Sequence, residues 1–369
     1  MLEEKPFAFA IEDLVVPIAI LQNYENSNQH DTQFIFPFIN GQEISLYEKI
    51  RKRLSVLGFE TLLFLRNLAS ITWKTETDHG IYRCEGKGSR RELRGETSKN
   101  GQLRRKSAHY LVFTRNVSMS DNERELDVSI AFRLDEKGKI LSEPDQKLVV
   151  YFPTEQVTGL NFRLHGPFLL TDNRANIKID NKTNSKLIQE CAALLGESIQ
   201  RIKKEDLLTI DFLSMLPIRK DTIPSSFLPL YDQTLQVLKR NRLLPTTDGT
   251  FASAAQVKIA RGADLRELIN ERQLSTLYGA STPLHWLTSD ITFDRTRDIY
   301  TYINKELEVE IVDPEAFARK LEISFLKLQT DEWLIRLYTF LSKQPGLKEI
   351  IKWKPILRLR DNSHVPPFK

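Results

Sequence analysis

The stretch that decides how this chain reads is Leu164-His165-Gly166-Pro167-Phe168-Leu169-Leu170-Thr171-Asp172-Asn173-Arg174, in the middle of residues 148–195. Upstream of it, Leu148-Val149-Val150-Tyr151-Phe152 is the apolar run of a buried strand, and Pro153, with no amide to give a ladder, is expected to end it. Leu160-Asn161-Phe162-Arg163-Leu164 alternates with the period of two of a half-buried strand. Gly166-Pro167 then turns the chain. Thr171-Asp172-Asn173-Arg174 reads as a tight polar loop, because Asp and Asn side chains bond their own backbone. Asn184 and Ser185 have N-cap chemistry, and behind them Leu187, Ile188, Cys191, Leu194, Leu195 and Ile199 recur on one helical face. Arg174 is therefore expected on a loop held between a packed sheet and a packed helix, the rigid support that phosphate recognition by a guanidinium needs. The plainer alternative is an ordinary surface ion pair.

The chain has 369 residues, enough for two or three domains with their own cores. Its 41% apolar and 28% charged content is that of an ordinary soluble globular protein. No apolar run approaches the length of a membrane span, and Met1-Leu2-Glu3-Glu4-Lys5-Pro6 lacks the basic start of a signal peptide. The only cysteines are Cys84 and Cys191, which argues against a disulfide framework or a cysteine zinc site and for a reducing, cytoplasmic setting.

Ahead of the Arg174 stretch, Thr32-Gln33-Phe34-Ile35-Phe36-Pro37 reads as a strand, residues 45–57 as a helix with a basic face, residues 60–68 as a buried helical piece and residues 69–75 as a strand. Ile81-Tyr82-Arg83-Cys84 and Ala108-His109-Tyr110-Leu111-Val112-Phe113 are candidate paired strands. Leu126-Asp127-Val128-Ser129-Ile130-Ala131-Phe132-Arg133-Leu134 alternates cleanly into a hairpin turn at Asp135-Glu136-Lys137-Gly138. Behind the Arg174 stretch, residues 207–216, 230–241, 263–273, 294–305, 314–324 and 331–342 read as helices. Leu243-Leu244-Pro245-Thr246-Thr247-Asp248-Gly249-Thr250-Phe251 interrupts them as strand, turn, strand. The expected class is α+β in three parts: residues 1–75, an α/β sandwich over residues 76–217 that carries Arg174, and a mainly helical region over residues 218–369.

The net charge of +4 is local: residues 87–106 hold eight basic side chains against Glu92 and Glu96, and the remainder of the chain is slightly acidic. This segment reads as a solvated, flexible hairpin loop. The functional alternative is sequence-nonspecific contact with nucleic acid through Arg90, Arg91, Arg94, Arg104, Arg105 and Lys106; no aromatic residue lies within the segment to stack on bases. Gly86-Lys87-Gly88-Ser89 is not a P-loop, because the first glycine is missing and Gly88 stands where Ser or Thr is required. The six histidines show no metal spacing, and no metal site is expected. Packing and turn formation suit His165 better than catalysis. Among Asn173, Asn181 and Asn184, which could orient Arg174 or phosphate oxygens, Asn184 is the expected helix cap.

The run Val149-Val150-Tyr151-Phe152-Pro153, Thr158-Gly159-Leu160, His165-Gly166-Pro167-Phe168, Asp172-Asn173-Arg174 and Asn184 resembles the sacsin-type relatives of the ninety-kilodalton heat-shock chaperone, which are GHKL ATPases. Thr32-Gln33-Phe34-Ile35-Phe36-Pro37, the run Leu62-Leu63-Phe64-Leu65-Arg66-Asn67 and the Leu244-Pro245-Thr246-Thr247-Asp248-Gly249 element are similar to that family too. The resemblance implies a C-terminal remnant of a Bergerat-type nucleotide domain in residues 1–75, with Thr32 at the threonine that closes it. It implies a middle domain in which Arg174 reaches the γ-phosphate of ATP, with Asn173 the nearest candidate to assist it, and a conformational cycle acting on a protein client or partner chain. Bacterial relatives are often tied to defence against foreign DNA.

The family's Glu/Asn helix, its Asp-x-Gly-x-Gly turn and its glycine-rich lid precede the threonine strand, whereas only 31 residues precede Thr32 here. The resemblance therefore implies ATP and Mg²⁺ in the intact protein, no cofactor and no activity for this chain alone, and leaves a homodimer open. The contrasting reading is a non-enzymatic module that uses residues 87–106 on nucleic acid.

Overall fold

A computed structural model of the chain describes residues 8–12, 16–20, 43–119 and 122–367. The chain divides into two compact units, Met1–Val56 and Leu57–Lys369. In the first, β1 (Ala8–Glu12) pairs antiparallel with β2 (Val16–Ile20), and α1 (Glu43–Val56) follows. The strand expected at 32–37, with Thr32, lies outside the described residues.

The second unit opens with a 3₁₀ helix, Phe59–Phe64, whose side chains from Thr61 to Phe64 are buried. There follow β3 (Ser70–Lys74), β4 (His79–Lys87), β5 (Arg90–Lys99), β6 (Gln102–Met119), β7 (Asn122–Leu134), β8 (Ile140–Leu141), β9 (Gln146–Val150), β10 (Phe152–Leu160) and β11 (Arg163–His165). They form one nine-stranded sheet in the order β10-β9-β11-β7-β6-β5-β4-β3, with β8 on β7. Every pairing is antiparallel except β11 with β9, where His165 lies beside Val149. β3 falls within residues 1–75, the first part expected from sequence, yet it is hydrogen-bonded to β4 along its length, and the chain parts after Val56 instead.

Two differences from the sequence reading have clear physical causes. Pro153 does not end a strand. The chain reverses two residues earlier, at Tyr151, whose φ is +61°, and Pro153 sits inside β10, opposite Val149. β10 is the edge of the sheet, where a residue without an N–H costs no ladder bond. Residues 87–106 are not a loop either. From Arg90 on they are β5 and the facing start of β6, joined by Asn100-Gly101 with φ of +49° and +78°, the left-handed pair that a tight hairpin turn requires.

Behind the sheet come α2 (Lys182–Lys204), α3 (Ile210–Met215) and α4 (Leu228–Arg240). α2 lays Leu187, Ile188, Cys191, Leu194, Leu195 and Ile199 on the sheet, with Phe132 of β7 at the centre, its ring 5.0 Å from Phe162 and 5.5 Å from Phe212. α4 packs on the other side of α2 at Gly196, where an added Cβ would lie 2.5 Å from Gln233 Nε2 and 3.1 Å from Val237. This core continues without a break past residue 217, so no seam appears at the expected 217/218 boundary.

The C-terminal part is not purely helical. β12 (Leu244–Pro245) and β13 (Phe251–Ala252) form the expected hairpin. β14 (Val257–Ala260), α5 (Ala263–Leu268), α6 (Glu271–Leu277), β15 (His285–Trp286), α7 (Arg297–Lys305) and β16 (Ile311–Val312) add a small all-parallel sheet in the order β15-β14-β16. The single helix expected over 263–273 is two, because Asn270 starts a new one with a capping box closed by Gln273. α8 (Pro314–Lys320), α9 (Ile323–Leu326), α10 (Asp331–Ser342), α11 (Lys348–Ile351) and the pair β17 (Leu357–Arg358) and β18 (His364–Val365) complete a second core, which includes Phe317, Phe325 and Leu337. Among the described residues, no helix is long and apolar enough to cross a membrane.

Candidate functional site

Arg174 lies at the tip of a hairpin-like excursion between β11 and α2, closed by a bridge between Leu170 and Ile177. The loop is tied across itself: Thr171 N–H donates to Asn176 O at 2.8 Å, and Arg174 N–H donates to Thr171 O at 2.7 Å. It is tied to the edge strand by Glu155 N–H donating to Ala175 O at 2.9 Å. Asn173 does local work, its Oδ1 accepting from the Thr171 hydroxyl at 2.8 Å and from Ala175 N–H at 3.1 Å. These contacts hold Arg174 in the left-handed region, φ +57°, which a side chain rarely adopts unless its surroundings enforce it. The guanidinium is exposed and has no ion-pair or hydrogen-bond partner among the described residues. The ordinary surface ion pair is therefore not what holds this arginine.

Asn184 is the bolt at the base of the loop, not the helix cap. Only 2% exposed, it accepts from Leu169 N–H at 2.8 Å and donates to Leu169 O at 2.9 Å and Lys178 O at 3.0 Å, fastening both stems of the loop to α2. Asn181 caps the helix, accepting from Asn184 N–H at 3.0 Å. Asn184→Ala strands those backbone groups in a buried place, so a loss of about 2–3 kcal/mol is expected in denaturant unfolding. The Leu169 amide should also exchange with solvent faster; an unchanged midpoint would show that the loop is fastened elsewhere.

His165 supports the same region from below. It is 5% exposed, its ring stacked on Phe64 at 4.7 Å and met edge-on by Tyr151 at 5.3 Å. Burial holds its pKa down to about 4, against the opposing pull of a hydrogen bond to Val149 O at 3.1 Å. The ring is then neutral at physiological pH. Because a carbonyl only accepts, Nδ1 carries the proton, and His165 is a packing and hydrogen-bonding group.

The basic segment is divided by the pleat. Direct cross-strand partners share a face, which puts Arg91, Arg104 and Lys106 on one side of the sheet and Arg90, Arg94 and Arg105 on the other. On the second side each arginine meets a carboxylate: Arg90 with Glu205 at 3.7 Å, Arg94 with Glu92 at 2.7 Å, Arg105 with Glu96 at 3.3 Å. On the first, Arg91 donates to the carbonyls of Gly88 and Arg90 at 2.7 and 2.9 Å. Gly88-Ser89, set aside as a phosphate loop, is the turn between β4 and β5. Arg104 and Lys106 are left as the exposed cations on one face without an ion pair among the described residues. DNA binding by this segment is thus expected to be weak, with a log–log salt slope of about −2. A slope of about −6 would show all six cations acting together, contrary to this division.

Sequence reasoning passed over a third cluster, Asp248, Glu271 and His285. Nothing in the linear order signals it, since the three are brought together by pairing of the β12 turn with β15: Thr247 N–H donates to Trp286 O at 3.0 Å and Thr288 N–H to Pro245 O at 3.0 Å. Both cysteines are free, Cys191 fully inside the core with burial raising its thiol pKa. Comparison with known proteins finds no family model, no curated protein and no solved structure that matches this chain.

Proposed function

We propose that this chain is part of a sacsin-like GHKL ATPase, in which Arg174 reaches the γ-phosphate of Mg·ATP held by a nucleotide domain. The observation that supports this most is an exposed, unpaired guanidinium on a loop whose backbone is fastened at tip, edge and base. A fixed arginine delivered across an interface stabilises charge spreading onto phosphoryl oxygens and loses little entropy when it arrives. Coupling follows from the same geometry. The loop is bolted through Asn184 to α2, which packs across the sheet, so a phosphate that draws in Arg174 pulls on the whole layer. Such a lever suits a conformational cycle acting on a protein client, with a role in bacterial defence carried by family resemblance alone.

The chain by itself lacks a glycine-rich phosphate loop and an Asp-x-Gly-x-Gly turn, and is expected to neither bind nor hydrolyse ATP. Calorimetric titration of the purified chain with Mg·ATP, beside the same titration of the intact protein that carries it, is the test. Binding by the intact protein only is the expected result. Saturable binding to the chain alone, or none to either, would overturn this reading.

A further inference from the structure

The structure carries a second polar cluster, on different elements from the Arg174 loop and independent of the reading above. Asp248 lies in the β12–β13 turn, Glu271 at the start of α6, and His285 at the start of β15. His285 Nδ1 stands 3.2 Å from Glu271 Oε2 and 3.4 Å from Asp248 Oδ2. The 3.2 Å separation from Glu271 is within hydrogen-bond range, yet neither ring nitrogen is aligned with a partner. Both ring nitrogens and Glu271 Oε1 are shut away from solvent without a hydrogen-bond partner, and the His285 side chain is only 12% exposed.

Asp248 is turned toward the same point. Its Oδ1 takes all the local donors, the hydroxyls of Thr246 and Thr250 and the Thr250 amide, which leaves Oδ2 to face the ring. The two carboxyl groups and the imidazole nitrogen converge on one point, where a positive charge placed among them would meet all three. One proton can serve a single pair of these atoms, whereas a metal ion serves all three.

We propose that Asp248, Glu271 and His285 form a binding site for one divalent transition-metal cation of the zinc class. The three ligand atoms lie within 4.8 Å of one another. Ligands of a tetrahedral Zn²⁺ stand roughly 3.3–3.4 Å apart, given metal–ligand bonds of about 2.0–2.1 Å, and the two distances from His285 Nδ1 match that edge. An imidazole nitrogen favours a transition metal over Mg²⁺ or Ca²⁺, which take oxygen ligands. Two carboxylates neutralise the ion, and the Thr246 and Thr250 bonds orient Asp248 as outer-shell partners of metal ligands do. The Asp248 and Glu271 side chains are 35% and 30% exposed, so an ion can reach the cluster from solvent. The ion would pin the β12–β13 turn, whose Leu244 and Ala252 belong to the first core, to α6 and β15, whose Leu274 and Trp286 belong to the second.

The test uses the whole chain, stripped with a chelator and titrated with Co²⁺ alone and then Zn²⁺ alone. The expected result is one equivalent of Co²⁺ with the visible absorption of a low-symmetry four-coordinate ion, its displacement by Zn²⁺, and a higher melting temperature with either metal. His285→Ala and Glu271→Gln should each weaken binding by more than about 100-fold. Glu271→Gln guards against a folding failure, because it keeps the size and shape of the side chain it replaces. No stoichiometric absorption and no thermal shift would overturn the proposal, leaving a shared proton as the occupant. So would binding that survives both substitutions.

Discussion

On the proposed function, Arg174→Ala is expected to lower ATP turnover by the intact protein by about 10³-fold, the effect of removing an arginine that acts across an interface on a γ-phosphate. Nucleotide affinity should change little, since on that reading the adenine and Mg²⁺ contacts would belong to the nucleotide domain, so the loss should fall on kcat. Arg174→Lys does not restore it, because an ammonium on a flexible stem cannot reproduce the planar fork that grips two phosphoryl oxygens. Folding stability stays within about 0.5 kcal/mol of the parent, because the side chain is exposed and bonds to nothing among the described residues. That separation makes the result diagnostic. A turnover loss accompanied by a large drop in stability would instead make Arg174 a structural residue.

The second large effect is a pH dependence of folding. The buried His165 ring has its pKa held down to about 4 from an ordinary 6.5. The folded state therefore favours the neutral ring, and its contribution is fully present above the unfolded value of 6.5 and lost as the pH falls through about 4. A shift of that size corresponds to roughly 3 kcal/mol, on the scale of about 1.4 kcal/mol per unit. Urea unfolding at pH 7.5, 6, 5 and 4 measures it. Titrating carboxylates also contribute in that range, so the comparison is with His165→Gln, which keeps a donor for Val149 O but takes up no proton. The parent should lose about 3 kcal/mol more than the variant between pH 7.5 and 4. Parallel curves would mean that the ring is already hydrated in the folded protein.

The regular parts of this fold were legible because local signals agreed with tertiary packing. Thr330 caps α10 and the apolar face of that helix meets the second core, so the residues from Asp331 to Ser342 announce themselves. The alternation along β7 survives because one face of the strand meets α2. Pro153 misled because a proline is judged against a central strand until the sheet order shows that β10 is an edge. Residues 87–106 misled because charge suggested solvation, whereas a long two-sided hairpin hides little more than Leu93, Gly95 and Ala108 and can carry charge on both faces. The two-residue strands of the β15-β14-β16 sheet are too short for any period to register.

The same division holds at the site. Arg174 could be singled out because its loop chemistry is contiguous, from Thr171 to Asn184. The work of Asn184 could not, since a cap and a bolt between two loop stems look alike until the stems are seen to converge on its amide. The cluster of Asp248, Glu271 and His285 left no sequence trace, because its members meet only through the pairing of the β12 turn with β15.

The central claim is that Arg174 meets a phosphoryl group. The measurement that tests it most directly is the structure of the intact protein bound to ADP and aluminium fluoride, which mimics the phosphoryl group in flight. The account predicts the Arg174 guanidinium about 2.7–2.9 Å from the analogue's fluorides, the distance of a charge-assisted hydrogen bond, with the loop backbone as it is here. An occupied nucleotide site with Arg174 still in solvent, and another cation on the fluorides, would contradict it.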